Sequence, residues 1–309
     1  MKRLAIGEVV VDVDPDRGAE VTSLRYGGRE LLARTPWPPA PVVPGADEAA
    51  WTRAWRGGWQ ILFPNAGGPG EADGVRHCFH GGSSQAKWEV YESARDVAAF
   101  SWTDEQGLLL IRWFRLSERG VLVQTNALNT SRESRAAVAV EHLVLGGDLL
   151  ARGARVDPYD ASGEVEILPL TPEGDPAGEP RAWPHGPEGR DWSVVPAAGP
   201  AARFGVVRGL ATPRVQVANE DLAVVVSWDD SALPYLWYWL ELEACTGDPW
   251  EGRTRALGIE PASVGHAQIE PASVGHAQGI TQAVQEGAAR MIPPGASWSW
   301  HVELTFVPR

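Results

Sequence analysis

The chain is short of several things that would each have pointed to a function. Cysteine occurs only as Cys78 and Cys245, too few and too far apart for a disulfide framework or a zinc site. Both read as free thiols of a reducing, cytoplasmic compartment. Lysine is limited to Lys2 and Lys87, a skew toward arginine that reflects nucleotide bias rather than chemistry. Positive charge is in deficit: the net charge is −13 and the pI about 5.0. That balance excludes the basic stripe needed to displace counterions from nucleic acid and leaves a neutral or weakly charged partner. Long apolar runs are missing as well. The N-terminal MKRLAIGEVVVDVDPD takes on Glu8, Asp12 and Asp14 before one forms, so neither a signal peptide nor a membrane helix is expected. Asn129-Thr130-Ser131 matches a glycosylation acceptor, which reads as a chance match because export is not expected. Amphipathic helical stripes are scarce, the one candidate being ITQAVQEGAARM near the C-terminus.

What the chain has in quantity is tryptophan and short alternating runs. Of 309 residues 44% are apolar, enough to bury a large core. Runs such as AEVTSLRYGGRELL, DVAAFSWTDEQGLLLIRWFRLSERGVLVQTNALN and RVQVANEDLAVVVSW alternate between turn residues from end to end, the pattern of an all-β protein. Two Pro/Gly-rich stretches, near 35–50 and 170–202, have strand patterns of the same style on either side. They read as long loops on one β-sandwich domain spanning 1–309. The fifteen tryptophans each combine a flat apolar face with one N–H donor. That combination suits sugar rings, although core filling must account for many of them.

Two strands show how the tryptophans divide. In SWSWHVELTFV, Trp298, Trp300, Val302, Leu304 and Phe306 share one face, with His301 and Glu303 on the other; these tryptophans are expected in the core. In YLWYWLELE, Leu236, Tyr238, Leu240 and Leu242 make the apolar face, while Trp237 and Trp239 lie beside Glu241 and Glu243 on the opposite one. Aromatics beside carboxylates describe a sugar platform as well as an ordinary exposed face.

IEPASVGHAQ occurs twice in succession, at 259–268 and 269–278. Ten residues are too few for a packed repeat unit, and no third copy follows. A strand has room for one copy in register, so Glu260 and Glu270 are alternatives for one structural position.

The stretch FHGGSSQAKWEV places His80 against Gly81 and Gly82, with FPNAGG just upstream; His142 sits in VAVEHLVLG, a glutamate in GIEPAS, and MIPPGASWSWHVELTF closes the chain. In this order the motifs resemble the aldose 1-epimerase, or galactose mutarotase-like, family over roughly residues 5 to 307. The resemblance implies a large antiparallel β-supersandwich with an open cleft for a hexose, and interconversion of the sugar's α and β anomers without metal or cofactor. It gives His80 the role of a ring contact, His142 that of general acid at the ring oxygen, and Glu260, with Glu270 as the alternative, that of general base on the anomeric hydroxyl. The family's arginine after the FP motif has no counterpart here. Asn65 occupies that neighbourhood, Arg56 and Arg76 are possible substitutes, and the expected substrate-binding set is Asn65, Arg76, Trp237 and Trp239. The monosaccharide is the expected partner, for a monomer or homodimer.

The chemistry explains the residue types independently. Opening a pyranose removes a proton from the anomeric hydroxyl and delivers one to the ring oxygen; reclosure on the other carbonyl face reverses both. A carboxylate with an ordinary pKa near 4.3 and an imidazole near 6.5 fall on the right sides of neutrality for these tasks. Competing readings are weaker. HCFH offers His77, Cys78 and His80 as metal ligands but has no partner pair of familiar spacing. Glycoside cleavage would need two flanking carboxylates, for which Glu241 and Glu243 are the candidates. The serious rival is a carbohydrate-binding or sensing protein that kept the cleft and lost catalysis.

Overall fold

A computed structural model describes residues 1–159, 166–169, 180–265 and 279–309. Nearly all regular structure is antiparallel strand. One sheet runs, in spatial order, through Lys2–Ile6, Val9–Asp14, Glu20–Tyr26, Trp59–Leu62, Val140–Leu145, Arg255–Ala262, Tyr235–Leu242, Ala201–Arg208, Glu166–Pro169 and Arg181–Ala182. The other runs through Val194–Val195, Ala154–Pro158, Arg214–Ala218, Leu222–Trp228, Ser297–Pro308, Gly120–Asn129, Leu108–Ser117, Val97–Thr103 and Glu89–Ser93. Their inner faces build one continuous apolar core, with cross-sheet ring pairs such as Tyr26–Phe306 at 5.2 Å and Phe63–Trp300 at 6.5 Å. The expected period of two is kept in Ser297–Pro308, where Trp298, Trp300, Val302, Leu304 and Phe306 are buried and His301 is exposed.

A charged network crosses this core. Glu141 accepts hydrogen bonds from Arg112 Nη1 and Nη2 at 2.8 and 2.7 Å, and from the indole N–H groups of Trp59 and Trp300 at 2.8 Å each. Arg112 and Glu141 are both fully buried, so each charge depends on the other. Glu141 and Trp59 belong to the first sheet, Arg112 and Trp300 to the second, and the network therefore fixes the two sheets against each other.

The central strand Val140–Leu145 is buried at every position. Leu143 and Leu145 face the inter-sheet core, whereas Val140 and Val144 join a second apolar cluster on the outer face. A strand covered on both sides reads as a near-continuous apolar run, which VAVEHLVLG is except at Glu141 and His142. The cover comes from the Pro-rich stretch after residue 35 and from the helix Glu48–Ala54, whose Trp51 belongs to that cluster together with Trp37 and Trp55. This helix lies where the sequence suggested loop. Asp47 caps it, accepting from the Ala50 N–H at 2.9 Å. The helix expected near the C-terminus is Gly279–Gln285.

Candidate active site

Strand register assembles the site. Gln60 pairs with His142, and Trp237 with Glu260. The pairs Val140↔Ala262 and Val144↔Gly258 set His142 level with Glu260. Opposed residues of antiparallel strands share a face, so Gln60, His142, Glu260 and Trp237 form one row across the outer face of the first sheet. His142 Nε2 stands 3.8 Å from Glu260 Oε1, and both side chains are almost fully buried. Space for the carboxylate comes from Gly258, two residues earlier on the same face: a Cβ there would fall well inside 3.0 Å of Glu260 Oε1. Glu141, one residue from His142, faces the opposite way into the core network, as alternation requires.

His80 approaches the row from a loop and takes a left-handed backbone conformation itself, with φ 59°, followed by Gly81 at φ 72°. A Cβ on Gly81 would collide with the backbone carbonyls of Phe63 and Asn65. The glycine thus lets the histidine loop pass against the FPN turn. The Gly67 N–H donates to His80 Nδ1 at 2.9 Å while the His80 N–H donates to the Gly67 carbonyl at 3.0 Å. With Nδ1 accepting, a neutral His80 carries its proton on Nε2. Its ring centroid lies 5.7 Å from that of His142.

The remaining expected site residues are distributed differently. Asn65 is committed to the scaffold, donating to the carbonyls of Gly68 and Cys78 and accepting from the Ile280 N–H. Arg76 is exposed on the small hairpin Gly70–Ala72/Val75–His77. Arg56 binds Glu20 and Asp14. Trp237 is buried, its indole N–H donating to the Val264 carbonyl at 2.8 Å, whereas Trp239 is partly exposed. Glu270, His266 and His276 lie outside the described residues. Glu241 is buried and accepts from the N–H groups of Ala244 and Cys245, and Glu243 pairs with Arg255, so these two do not form a facing pair of free carboxylates. Among the described residues no cluster of histidine, cysteine and carboxylate has the makings of a metal site.

Two features differ from the sequence expectation. In place of an open cleft, two indoles fill the space above the histidines. Trp51 lies 4.6 Å from His80 and 5.8 Å from His142 between ring centroids; Trp55 lies 5.9 Å from His142 and 5.8 Å from both Trp239 and Trp250. The helix that carries Trp51 is held by an exposed Arg53–Asp248 ion pair at 2.6 Å, by the Trp51 indole N–H donating to Ser84 Oγ, and by the Arg17 guanidinium on the Ala54 carbonyl. The second difference is protonation. Burial lowers the His142 pKa to about 4 and raises that of Glu260 well above the usual carboxylate range. Both shifts disfavour the charged forms in this closed arrangement.

Gln60, Trp51, Trp55 and Gly258 were not singled out from the sequence. DEAAWTRAW did carry a signal, an N-cap aspartate followed by tryptophans at i, i+4. Gln60 is the one polar residue in the buried WQIL strand.

No protein-family model and no curated protein matches the chain. Solved structures do match over nearly its full length. The Slr1438 protein of Synechocystis sp. PCC 6803 is 15% identical, with 99% of this chain and 95% of that one covered and a TM-score of 0.68. A galactose mutarotase-like protein from Lactobacillus casei is 15% identical over 99% and 100%, with a TM-score of 0.65. A galactose mutarotase related enzyme from Lactobacillus acidophilus is 15% identical over 99% and 96%, with a TM-score of 0.66. Identities this low speak to architecture, and the architecture is the galactose mutarotase-like fold.

Proposed function

We propose that the protein is an aldose 1-epimerase, interconverting the α and β anomers of a hexose by ring opening and reclosure. The observation that supports this most directly is the row on the outer face, which sets an imidazole and a carboxyl group 3.8 Å apart with a second histidine alongside. Anomerisation needs one group to take the proton of the anomeric hydroxyl and another to protonate the ring oxygen. His142 and Glu260 hold one transferable proton between them. Burial against the indoles works against charge on either group. A sugar replacing those indoles brings hydroxyl dipoles to both groups, which lowers the cost of charge separation and moves the proton to the imidazole. Glu260 then acts as base on the anomeric hydroxyl and His142 as acid at the ring oxygen, and His80 donates to the sugar through Nε2.

The filled site favours a second reading, a carbohydrate-binding or sensing protein on the same fold. One experiment separates the two: the relaxation of fresh α-D-glucose and α-D-galactose to anomeric equilibrium, followed by polarimetry with wild type and Glu260→Gln. Catalysis predicts acceleration that Glu260→Gln abolishes. Sugar binding with no acceleration selects the sensor.

A further inference from the structure

Beside His142, on the side away from Glu260, the described residues leave a crevice lined by Arg17, Trp51, Trp55, Gln60, Ser84 and Gln85. It holds no more than about one water molecule. Its walls are unusual in carrying buried polar atoms with no partner among the described residues: Gln60 Oε1, Gln85 Oε1 and Nε2, and Trp55 Nε1. Gln60 is only 6% exposed, and its one side-chain hydrogen bond is a long one of 3.4 Å to the Ser84 carbonyl. Buried polar groups are paired in the great majority of cases, and leaving one unpaired costs roughly 1–3 kcal/mol. Several around one crevice call for a ligand that supplies both donors and acceptors.

We infer that Gln60, Gln85 and Arg17 form a hydroxyl-binding subsite, which grips the vicinal hydroxyls of an aldose at the end of the ring away from the anomeric carbon. The inference rests on the epimerase reading for its orientation. Gln60, His142 and Glu260 lie on three neighbouring strands, so Gln60 and Glu260 are two strand spacings apart, about 10 Å. That is the reach of a pyranose hydrogen-bonded at both ends. Each amide offers a carbonyl acceptor and an NH₂ donor, matching a hydroxyl that both donates and accepts; the Arg17 guanidinium, whose Nη2 holds the Ala54 carbonyl, adds its remaining donors. Asp14 and Glu20, close to Arg17 and Arg56, offset the positive charge, so the subsite is built for hydroxyls more than for an anion. Access requires Trp51 and Trp55 to swing out, after which their faces are free to stack on the ring.

The test is anomer exchange measured by NMR for D-glucose and its monodeoxy analogues, with wild type, Gln60→Ala and Gln85→Ala. Gln85→Ala removes an amide that has no hydrogen bond among the described residues of the free protein, so it preserves the fold; circular dichroism checks both variants. Each variant is expected to raise KM for glucose about tenfold with a much smaller change in kcat. For the one deoxy analogue that lacks the gripped hydroxyl, wild type already shows the higher KM and the variant adds nothing. Equal losses on every analogue, or no loss on any, overturn the subsite while leaving the epimerase standing. If no aldose is turned over but saturation-transfer NMR shows glucose binding that both variants weaken, the subsite stands and the epimerase reading falls. If wild type binds none of these sugars, the subsite falls as well.

Discussion

Replacing Gly258 by alanine tests whether the position of Glu260, as well as its presence, sets the rate. Gly258 has an ordinary negative-φ strand backbone, so alanine brings no conformational strain of its own. Its Cβ, however, would fall well inside 3.0 Å of Glu260 Oε1, a separation real Cβ atoms essentially never show, and 3.1 Å from Trp239 Cβ. The tryptophan Cβ is fixed by its strand, whereas the carboxylate is the end of a flexible side chain, so the carboxylate yields. It must retreat by roughly 1 Å, a displacement that costs a positioned catalytic group about 10²-fold in rate. Overpacking costs about 1–3 kcal/mol in stability, which leaves the protein folded at assay temperature. The expected result is a kcat for anomer exchange about a hundredfold below wild type, with native circular dichroism and a modestly lowered unfolding midpoint. An exchange rate within twofold of wild type would refute the claim that Glu260 acts from the position described.

Further outcomes follow from the same geometry. Arg112→Met strands the Glu141 carboxylate in the core and is expected to lower stability by about 3–5 kcal/mol in urea denaturation, with a smaller loss when Glu141→Leu is added; an equal loss in both would show that the ion pair is not the source. His142, held near pKa 4 when folded against about 6.5 unfolded, binds fewer protons in the native state. Stability therefore falls as pH drops from 6.5 toward 4, by up to about 3 kcal/mol, and His142→Gln should flatten that limb of a urea-midpoint profile. Glu260 has the opposite sign: its raised pKa means stability is full below pH 4.5 and lost as pH rises, so Glu260→Gln gains on wild type with increasing pH. Glu270→Gln, or removal of residues 269–278, is expected to leave anomer exchange within twofold of wild type, and loss of exchange in either would transfer the base role to the second decapeptide.

The fold was legible because alternation leaves a trace in every strand. SWSWHVELTFV names its buried face outright, and the neighbours Glu141 and His142 separate into core and site by parity alone. The rest depended on contacts that no periodicity records. Whether Trp237 is platform or packing is decided by tertiary neighbours, Phe204 against its ring and the Val264 carbonyl on its indole N–H, while Trp55 from the far N-terminal part of the chain meets Trp239 on the same strand. The covering helix turned an expected open cleft into a filled one and, by burial, lowered the His142 pKa and raised that of Glu260, since desolvation depends on neighbours brought by tertiary structure. Asn65 and Gln60 make the point at single positions: one polar side chain near the site is fully used by backbone groups, while the other keeps a buried Oε1 with no partner among the described residues, and nothing in FPNAGG or WQIL distinguishes them.

The indoles of Trp51 and Trp55 also bear on how the protein responds to concentration. A site that must empty itself first binds with its intrinsic affinity multiplied by the fraction of molecules already open. With roughly 1% open, the apparent dissociation constant rises about a hundredfold, and any change that loosens the Arg53–Asp248 latch lowers it again without touching a sugar contact. On the epimerase reading, sensitivity to sugar would be tuned, by the modest amount an exposed ion pair is worth, at the rim, where salt screens it, and the chemistry beneath would stay unaltered while the working range shifts.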